Sequence, residues 1–480
     1  MKYGSILKKL FKSFLGTFLI FFCSNHFFYL NASSDSNSNY NYNNQDEINS
    51  LNGKADRLEA EVEKLKIDVQ KSRDVRRSRI SGVVATAGYF GLGAYYDGSS
   101  LIVLQPEVHR DLGVLKGVQS MVRHDIAEFG SDAVDHMVPH IAVSGYVESQ
   151  AEFQDMNNSS IRLNAAELDF AGWVSKWMTG YTNFGFDDRQ TPLSNFEMFL
   201  GFITVGNLDY SNWFMTAGQL YVPFGYFGTG MSKTGPIPKA IGRIKERAAK
   251  LAYYNEALGH TFYVSGATYR GKLQNDVSHM QIDQYATSLK LRRDWKYKNI
   301  PMQYDLTFSY TNNLAEADSL WVNLKYANNF KLHHFVPGSE AAGKFTIGKV
   351  SFRIEYVNSL KKYSTLDLMQ NGRSVKPRAY AYELNYDTTL SNRLFSLNAI
   401  YTSGSDTAVA IPVKSQYGVS ATWHLYSYTL LSAEIANRKF YGKNTTISGG
   451  ALDPAAQAAL MSRFFGTNDK IVSATIDVYF

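Results

Sequence analysis

From His140 onward, apolar and polar residues alternate with a period of two. Ile141, Val143, Gly145, Val147, Ser149, Ala151 and Phe153 fall on one face, and Ala142, Ser144, Tyr146, Glu148, Gln150 and Glu152 on the other, the side-chain repeat of a β-strand. The repeat returns many times. Tyr304, Leu306, Phe308 and Tyr310 oppose Asp305, Thr307, Ser309 and Thr311, while Phe352, Ile354 and Tyr356 oppose Ser351, Arg353 and Glu355. Tyr380, Tyr382, Leu384 and Tyr386 oppose Ala381, Glu383 and Asn385, and Tyr417, Val419, Ala421, Trp423 and Leu425 oppose Gly418, Ser420, Thr422 and His424. Each run spans about 10 to 12 residues, longer than the strands of a soluble sandwich, and aromatic residues mark the ends. These runs predict about sixteen strands in residues 140–480, least clearly at 248–254 and 320–326. A closed barrel pairs every backbone group in lipid, which an open sheet does not do. The expected fold is all-β, a transmembrane antiparallel β-barrel of about 16 strands, preceded by a short N-terminal coiled-coil helix.

Upstream of the barrel the period changes. Ile48, Leu51, Ala55, Leu58, Val62, Leu65 and Val69 recur at alternating spacings of three and four, the seam of a coiled coil. Residues 47–75 are therefore read as a periplasmic coiled coil, a possible route to a homo-oligomer, with an amphipathic helix packed on its own domain as the alternative. Residues 33–46 are a polar, low-complexity linker that has nothing to bury. Residues 76–139 form a pre-barrel region, either periplasmic or partly occluding the lumen. Within it a helix is expected around Asp111 to Phe129, with Leu112, Val114, Leu115 and Val118 on one side.

At the amino terminus Lys2, Lys8, Lys9 and Lys12 precede an apolar run from Phe14 to Phe22. With Leu30-Asn31-Ala32 as a cleavage site, residues 1–32 read as a secretory signal peptide. Their removal takes four lysines from a formal net charge of +6, leaving a nearly neutral mature chain. The one cysteine, Cys23, lies in that segment, so disulfide frameworks and thiolate metal sites are excluded. Charged residues are 19% and aromatics 14% of the chain, with 32 Tyr and 30 Phe, a composition that suits a tyrosine-rich sheet and argues against disorder.

The last strand carries a further signal. Val472, Ala474, Ile476, Val478 and Phe480 form an apolar face ending on a terminal phenylalanine. This is similar to the closing-strand signal read by the outer-membrane assembly machinery, although an ordinary edge strand can end in Phe. Two internal segments add to the picture: Asp111-Leu112-Gly113-Val114-Leu115, and Phe202-Ile203-Thr204-Val205-Gly206-Asn207-Leu208-Asp209 leading into Ala217-Gly218-Gln219-Leu220-Tyr221-Val222-Pro223-Phe224-Gly225. With the order signal peptide, coiled coil, barrel, they make the chain resemble the LbtU-type siderophore porin family, the outer-membrane iron/siderophore uptake barrels of Legionella and Francisella type. The resemblance covers about residues 45 to 480. It implies a barrel of the Gram-negative outer membrane, its N-terminal segment periplasmic, that takes up an iron-siderophore or iron without a large plug domain. The residues agree on the last point, since some 60 residues ahead of the barrel are too few for a full globular plug.

Specificity is expected in the stretch from Tyr226 to Lys250, which follows the fifth strand and, with both termini periplasmic, is extracellular. It holds Lys233, Lys239, Arg243, Lys245, Arg247 and Lys250 against a single carboxylate, Glu246. Folded into a narrow pore, such a cluster would concentrate a small anionic solute. Turned outward, it would meet lipopolysaccharide phosphates or solvent. The expected partners are thus the lipid bilayer, lipopolysaccharide, the assembly machinery and a small anionic solute such as an iron-siderophore.

Other chemistry is not expected. His124, His136 and His140 lie close together, but Pro139 breaks helical spacing, and the pair His333-His334 offers at most a weak surface site; no metal site and no cofactor are predicted. No GxSxG or HExxH motif occurs, so the chain is read as not an enzyme. A small mature charge argues against nucleic acid. The alternatives to siderophore uptake are a structural or adhesive barrel and a general anion-preferring porin.

Overall fold

The structure is a computed structural model. It describes residues 83–85, 94–95, 103–104, 109–129 and 140–479, apart from 156–158, 188–196, 232–233, 258, 276–281, 321–323, 325–330, 392, 427–428 and 449–464. The expected signal peptide, linker and coiled-coil seam, and Phe480 of the closing strand, lie outside the described residues.

Alternation from His140 builds sixteen barrel strands: β1 (His140–Gln154), β2 (Ser160–Ser175), β3 (Met178–Asp187), β4 (Glu197–Gly206), β5 (Trp213–Tyr221), β6 (Lys245–Ala257), β7 (His260–Tyr269), β8 (Gln284–Tyr297), β9 (Ile300–Thr311), β10 (Gly338–Ile347), β11 (Val350–Ser359), β12 (Arg378–Leu390), β13 (Arg393–Ser405), β14 (Val413–Tyr426), β15 (Thr429–Phe440) and β16 (Asn468–Tyr479). Each is antiparallel to the next in the chain. The ring closes where β16 pairs with β1, Tyr479 opposite Tyr146 and Val472 opposite Phe153. The closing strand expected from Val472, Ala474, Ile476 and Val478 is this β16, with the four residues exposed on the outer face. The less clear segment at 248–254 is part of β6. In the other one, 320–326, the described residues Leu320 and Leu324 are helical rather than extended, and both are buried. Their spacing of four is that of a helix face, which an alternation count mistakes for a short strand.

The faces sort as a membrane demands. Ile203, Val205, Met215, Leu251, Val419 and Ile435 are among many large apolar side chains exposed on the outside, far more than a soluble surface carries. Trp177 with Tyr210, and Trp213 with Tyr253, make aromatic contacts near one rim, at centroid distances of 5.9 and 5.1 Å, as amphipathic rings do at a bilayer interface. At that rim, two-residue turns join strands at Lys176-Trp177, Lys298-Asn299 and Gly348-Lys349. Lys298 and Asn299 both have positive φ, 47° and 67°, as the tightest hairpins require. The opposite rim carries the long connections 222–244, 270–283, 312–337, 360–377 and 441–467. Both ends of the barrel sequence lie on the short-turn rim, because β1 starts there and β16 ends there.

Two further elements sit inside this frame: helix α1 (Arg110–Phe129), close to the expected span, and the short α2 (Ile237–Gly242) within the 222–244 connection.

Candidate functional site: the occupied lumen

Helix α1 lies against the inner wall of β3 to β7. Leu115, fully buried, packs with Phe214, Ala252, Tyr254 and Tyr263, all on the inner face. Val114 and Val118 join the larger core with Tyr181, Leu200 and Phe202. The helix satisfies its own backbone, so what it asks of the wall is mainly apolar contact. Its first turn adds an anchor. Asp111 Oδ1 lies 2.5 Å from Lys250 Nζ of β6, and Thr216 of β5 donates to Asp111 Oδ2 at 2.9 Å. Both charged side chains are at most 2% exposed. Arg110 donates to Tyr181 OH at 3.1 Å, and that hydroxyl donates to Asp169. Toward the short-turn rim, Gln119 bridges the β4–β5 turn through Gly206 O and Leu208 N. Of the two places left open for the pre-barrel region, the described helix takes the lumen.

The connection 222–244 dips into the other half of the barrel. It reverses at Gly225, φ +92°, where a Cβ would strike the Phe227 ring at 1.8 Å, so only glycine fits. Phe227 itself has φ 54°, an uncommon conformation for a bulky residue. From there the backbone runs past one wall strand after another. Gly225 N–H donates to Ser309 Oγ at 2.9 Å, Phe227 N–H to Glu355 Oε1 at 3.1 Å, Gly230 N–H to Glu383 Oε1 at 2.6 Å and Thr234 N–H to Glu434 Oε1 at 3.0 Å. The Thr229 and Thr234 hydroxyls donate to the same Glu383 and Glu434. Going the other way, Ser420, Asn398 and Gln416 donate to Gly230 O and Gly235 O. An irregular segment has no backbone partners of its own, and buried N–H groups must find acceptors; buried wall carboxylates supply them. Beyond this stretch, α2 buries Ile237 and Ile241 against Val357, Ala379 and their neighbours.

The basic residues expected to form one cluster are dispersed. Lys233 lies outside the described residues. Lys239 is half-buried on α2. Arg243 Nε is 2.7 Å from Asp318 Oδ2, its guanidinium over the Tyr221 ring. The ladder with β5 begins at Lys245, opposite Tyr221, so the stretch read as a loop to Lys250 is loop only to Ile244. Period two then divides the rest between faces. Lys245, over the Phe199 ring, and Arg247, exposed, belong to the outer face, whereas Lys250 points inward to Asp111. The loop folds inward, but not on the strength of that cluster.

Among the described residues, fourteen buried carboxylates accompany four buried Lys or Arg side chains. Sequence reasoning placed Arg353, Glu355 and Glu383 on a polar face without seeing a role for them; the signal was present as charge on the wet side of alternating strands. Of the histidines, His333 Nδ1 is 2.9 Å from Asp367 Oδ1, whereas His334 Nε2 is 3.3 Å from a backbone carbonyl, that of Lys362. Among the described residues no group of three or more His, Cys, Asp or Glu is placed to hold a metal ion.

Residues 114–289 match a family described as "Protein of unknown function (DUF3573)". A UPF0422 protein of Coxiella burnetii is 26% identical over 446 residues, covering 88% of this chain and 92% of that protein. A UPF0422 protein of Legionella pneumophila is 23% identical over 423 residues, 83% and 76% of the two chains. Among solved structures, an anion-selective porin from Comamonas acidovorans is similar at 10% identity and a TM-score of 0.45, covering 72% of this chain and all of that one. OmpT of Vibrio cholerae is similar at 10% identity and a TM-score of 0.43, with the same coverage.

Proposed function

We propose that this chain is an outer-membrane channel of a Gram-negative bacterium, closed at rest by α1 and the inward loop, that admits a small solute from outside. The observation that carries this reading is the way the loop is held. Its middle is bound to the wall by hydrogen bonds to side chains of β9, β11, β12, β13, β14 and β15. Water or a polar solute can replace such bonds one at a time, each being worth about 0.5 to 1.5 kcal/mol net where the partner is neutral and about 1.5 to 3 kcal/mol where it is a carboxylate. The act is passage, not catalysis. The solute class is an iron-siderophore complex or a similar small iron-carrying solute, supported by the sequence resemblance and by a lumen that, among the described residues, is filled by α1 and the inward loop. The short-turn rim is then periplasmic and the long connections extracellular.

A deletion strain tests this through uptake of radiolabelled iron, with and without added siderophore. Uptake is expected to fall in the deletion strain and to return with the gene. Unchanged uptake together with weakened envelope integrity or attachment would instead make the barrel structural or adhesive.

A further inference from the structure

The barrel closes where β16 meets β1, and the inner face of that seam holds a carboxylate without a donor. Asp477 of β16 stands directly opposite Glu148 of β1 in the ladder. It is only 8% exposed, yet its Oδ1 is buried with no hydrogen-bond partner, and among the described residues no Lys, Arg or His pairs with it. The neighbouring inner acids differ. Glu152 is 3.0 Å from Arg162, and Glu167 accepts from Tyr146 OH at 3.3 Å and from Asn183 Nδ2 at 3.0 Å. Like charges directly opposite each other across a ladder are destabilising, and burying a charge with no hydrogen bond adds a desolvation cost. A positive group at Asp477 removes both penalties.

The next strand supplies a further oxygen. On β2 the register slips by one residue: Ala165 faces Glu148 and Leu163 faces Ser149, so Asn164 is left out of the ladder. Such a bulge re-aims a side chain, and here Asn164 and Ala165 are buried one after the other on the inside. Asn164 Nδ2 donates to Glu148 Oε1, while Asn164 Oδ1 is buried without a partner. Three adjacent strands thus bring together two carboxylates and one carboxamide oxygen, with no nitrogen or sulfur ligand among them. The Cβ atoms of direct cross-strand partners lie about 4.5–5.5 Å apart, a span that one cation with oxygen ligands at about 2.3–2.6 Å bridges. A shared proton would relieve the two acids but leave Asn164 Oδ1 unanswered; a cation engages all three.

We propose that Asp477, Glu148 and Asn164 hold a hard divalent cation, best fitted by calcium, and that this ion ties the last barrel strand to the first two. Calcium accepts the irregular oxygen set that a bulge provides, whereas magnesium demands near-octahedral geometry and gives up its waters reluctantly. With three side chains as ligands the affinity belongs to the weak class, with Kd on the order of 10⁻⁴ to 10⁻³ M. The site depends on the fold alone and stands apart from the channel reading.

The test uses the full chain refolded in detergent, free of lipopolysaccharide, whose phosphates would compete for the ion. Calorimetric titration is expected to show calcium binding at one site, with magnesium binding more weakly, and calcium to raise the melting temperature above that in chelator. Asp477→Asn removes a charged ligand and should weaken binding at least about tenfold, abolishing the shift. In chelator the same variant should melt no lower than the wild type, because it also removes the repulsion with Glu148. Asn164→Ala leaves both acids in place and should weaken binding about three- to tenfold, which keeps the test open should Asp477→Asn fail to refold. Asp209→Asn, exposed in the β4–β5 turn, should change neither readout. A calcium shift equal in the wild type, Asp477→Asn and Asn164→Ala places the ion elsewhere and overturns the site, as does a wild type that neither binds calcium nor is stabilised by it. Stabilisation by acid but not by calcium would make a shared proton the bridge and likewise overturn it.

Discussion

Two segments fill this barrel by opposite means. Helix α1 arrives with its hydrogen bonds made, so the wall it rests on is apolar: Phe202, Phe214, Tyr254 and Tyr263 receive Val114, Leu115 and Val118, and one buried ion pair fixes the register. The stretch Gly225–Gly235 arrives with its backbone unsatisfied, so the wall it crosses offers acceptors instead, with Glu355, Glu383 and Glu434 on three different strands. The regularity of the incoming segment therefore decides the chemistry of the wall facing it. It also decides how each segment can leave. A helix departs as a unit against a large apolar and ionic cost, whereas a loop held by separate hydrogen bonds can peel. On that difference, the proposed channel has α1 as the fixed half of its closure and the loop as the movable half.

Breaking the ion pair under α1 should have the largest effect. Asp111→Ala leaves the Lys250 ammonium fully buried without its carboxylate and strips Thr216 of its acceptor. Orphaning one member of a buried pair costs about 3 to 5 kcal/mol. The helix is then expected to become sensitive to limited proteolysis in detergent, while the barrel keeps its heat-resistant gel mobility. A helix as protected as in the wild type would mean that apolar packing alone holds it, and the contrast with the loop would narrow.

The carboxylate device recurs among the long connections, where pH can sharpen it. Glu316 accepts the N–H groups of Lys272 and Leu273 and the side chain of Gln284. Burial, reinforced by the negative charge of Glu246, pushes its carboxyl up to about 7. A raised acid favours the closed arrangement while both states are protonated, below the ordinary value near 4.5. That support fades as pH climbs from there through 7, by roughly 3 kcal/mol in all. Hydrogen exchange at Leu273, corrected for intrinsic base catalysis, should accordingly show easier opening at pH 8 than at pH 5. Glu316→Gln should flatten the profile; a wild-type profile already flat would remove Glu316 as the cause.

How far this contrast was readable from sequence follows from the distances involved. Strand faces are local: Ile141 to Phe153 announces β1, and Val472 to Val478 announces the strand that closes on it, because side-chain direction repeats every two residues. The helix at 110–129 was also legible from Leu112, Val114, Leu115 and Val118. The lumen was not. Phe227 meets Glu355 across 128 residues of chain, and Thr234 meets Glu434 across 200; alternation gives the face of each carboxylate but not what stands opposite. For the same reason the six basic residues at 233–250 read as one cluster, although a strand beginning at Lys245 sends Arg247 and Lys250 to opposite faces. Only the partner strand β5 fixes that starting point.

The smallest effect expected is also the most direct on the loop. Glu434→Gln keeps the size of the side chain and one carbonyl acceptor for Thr234 N–H and the Thr234 hydroxyl, but removes the charge that strengthens both bonds. Charge-assisted bonds are about twice as strong as neutral ones, so the loss is on the order of 1 kcal/mol. That is too little to move the melting temperature of a sixteen-strand barrel, yet enough to raise the open population of the Thr234 segment about fivefold, since 1.4 kcal/mol is a factor of ten. Faster exchange at Thr234, with α1 amides unchanged, would show that the loop opens independently of the helix. Parallel acceleration in α1 would show instead that the two halves open as one cooperative unit, and the division into a fixed and a movable closure would fail.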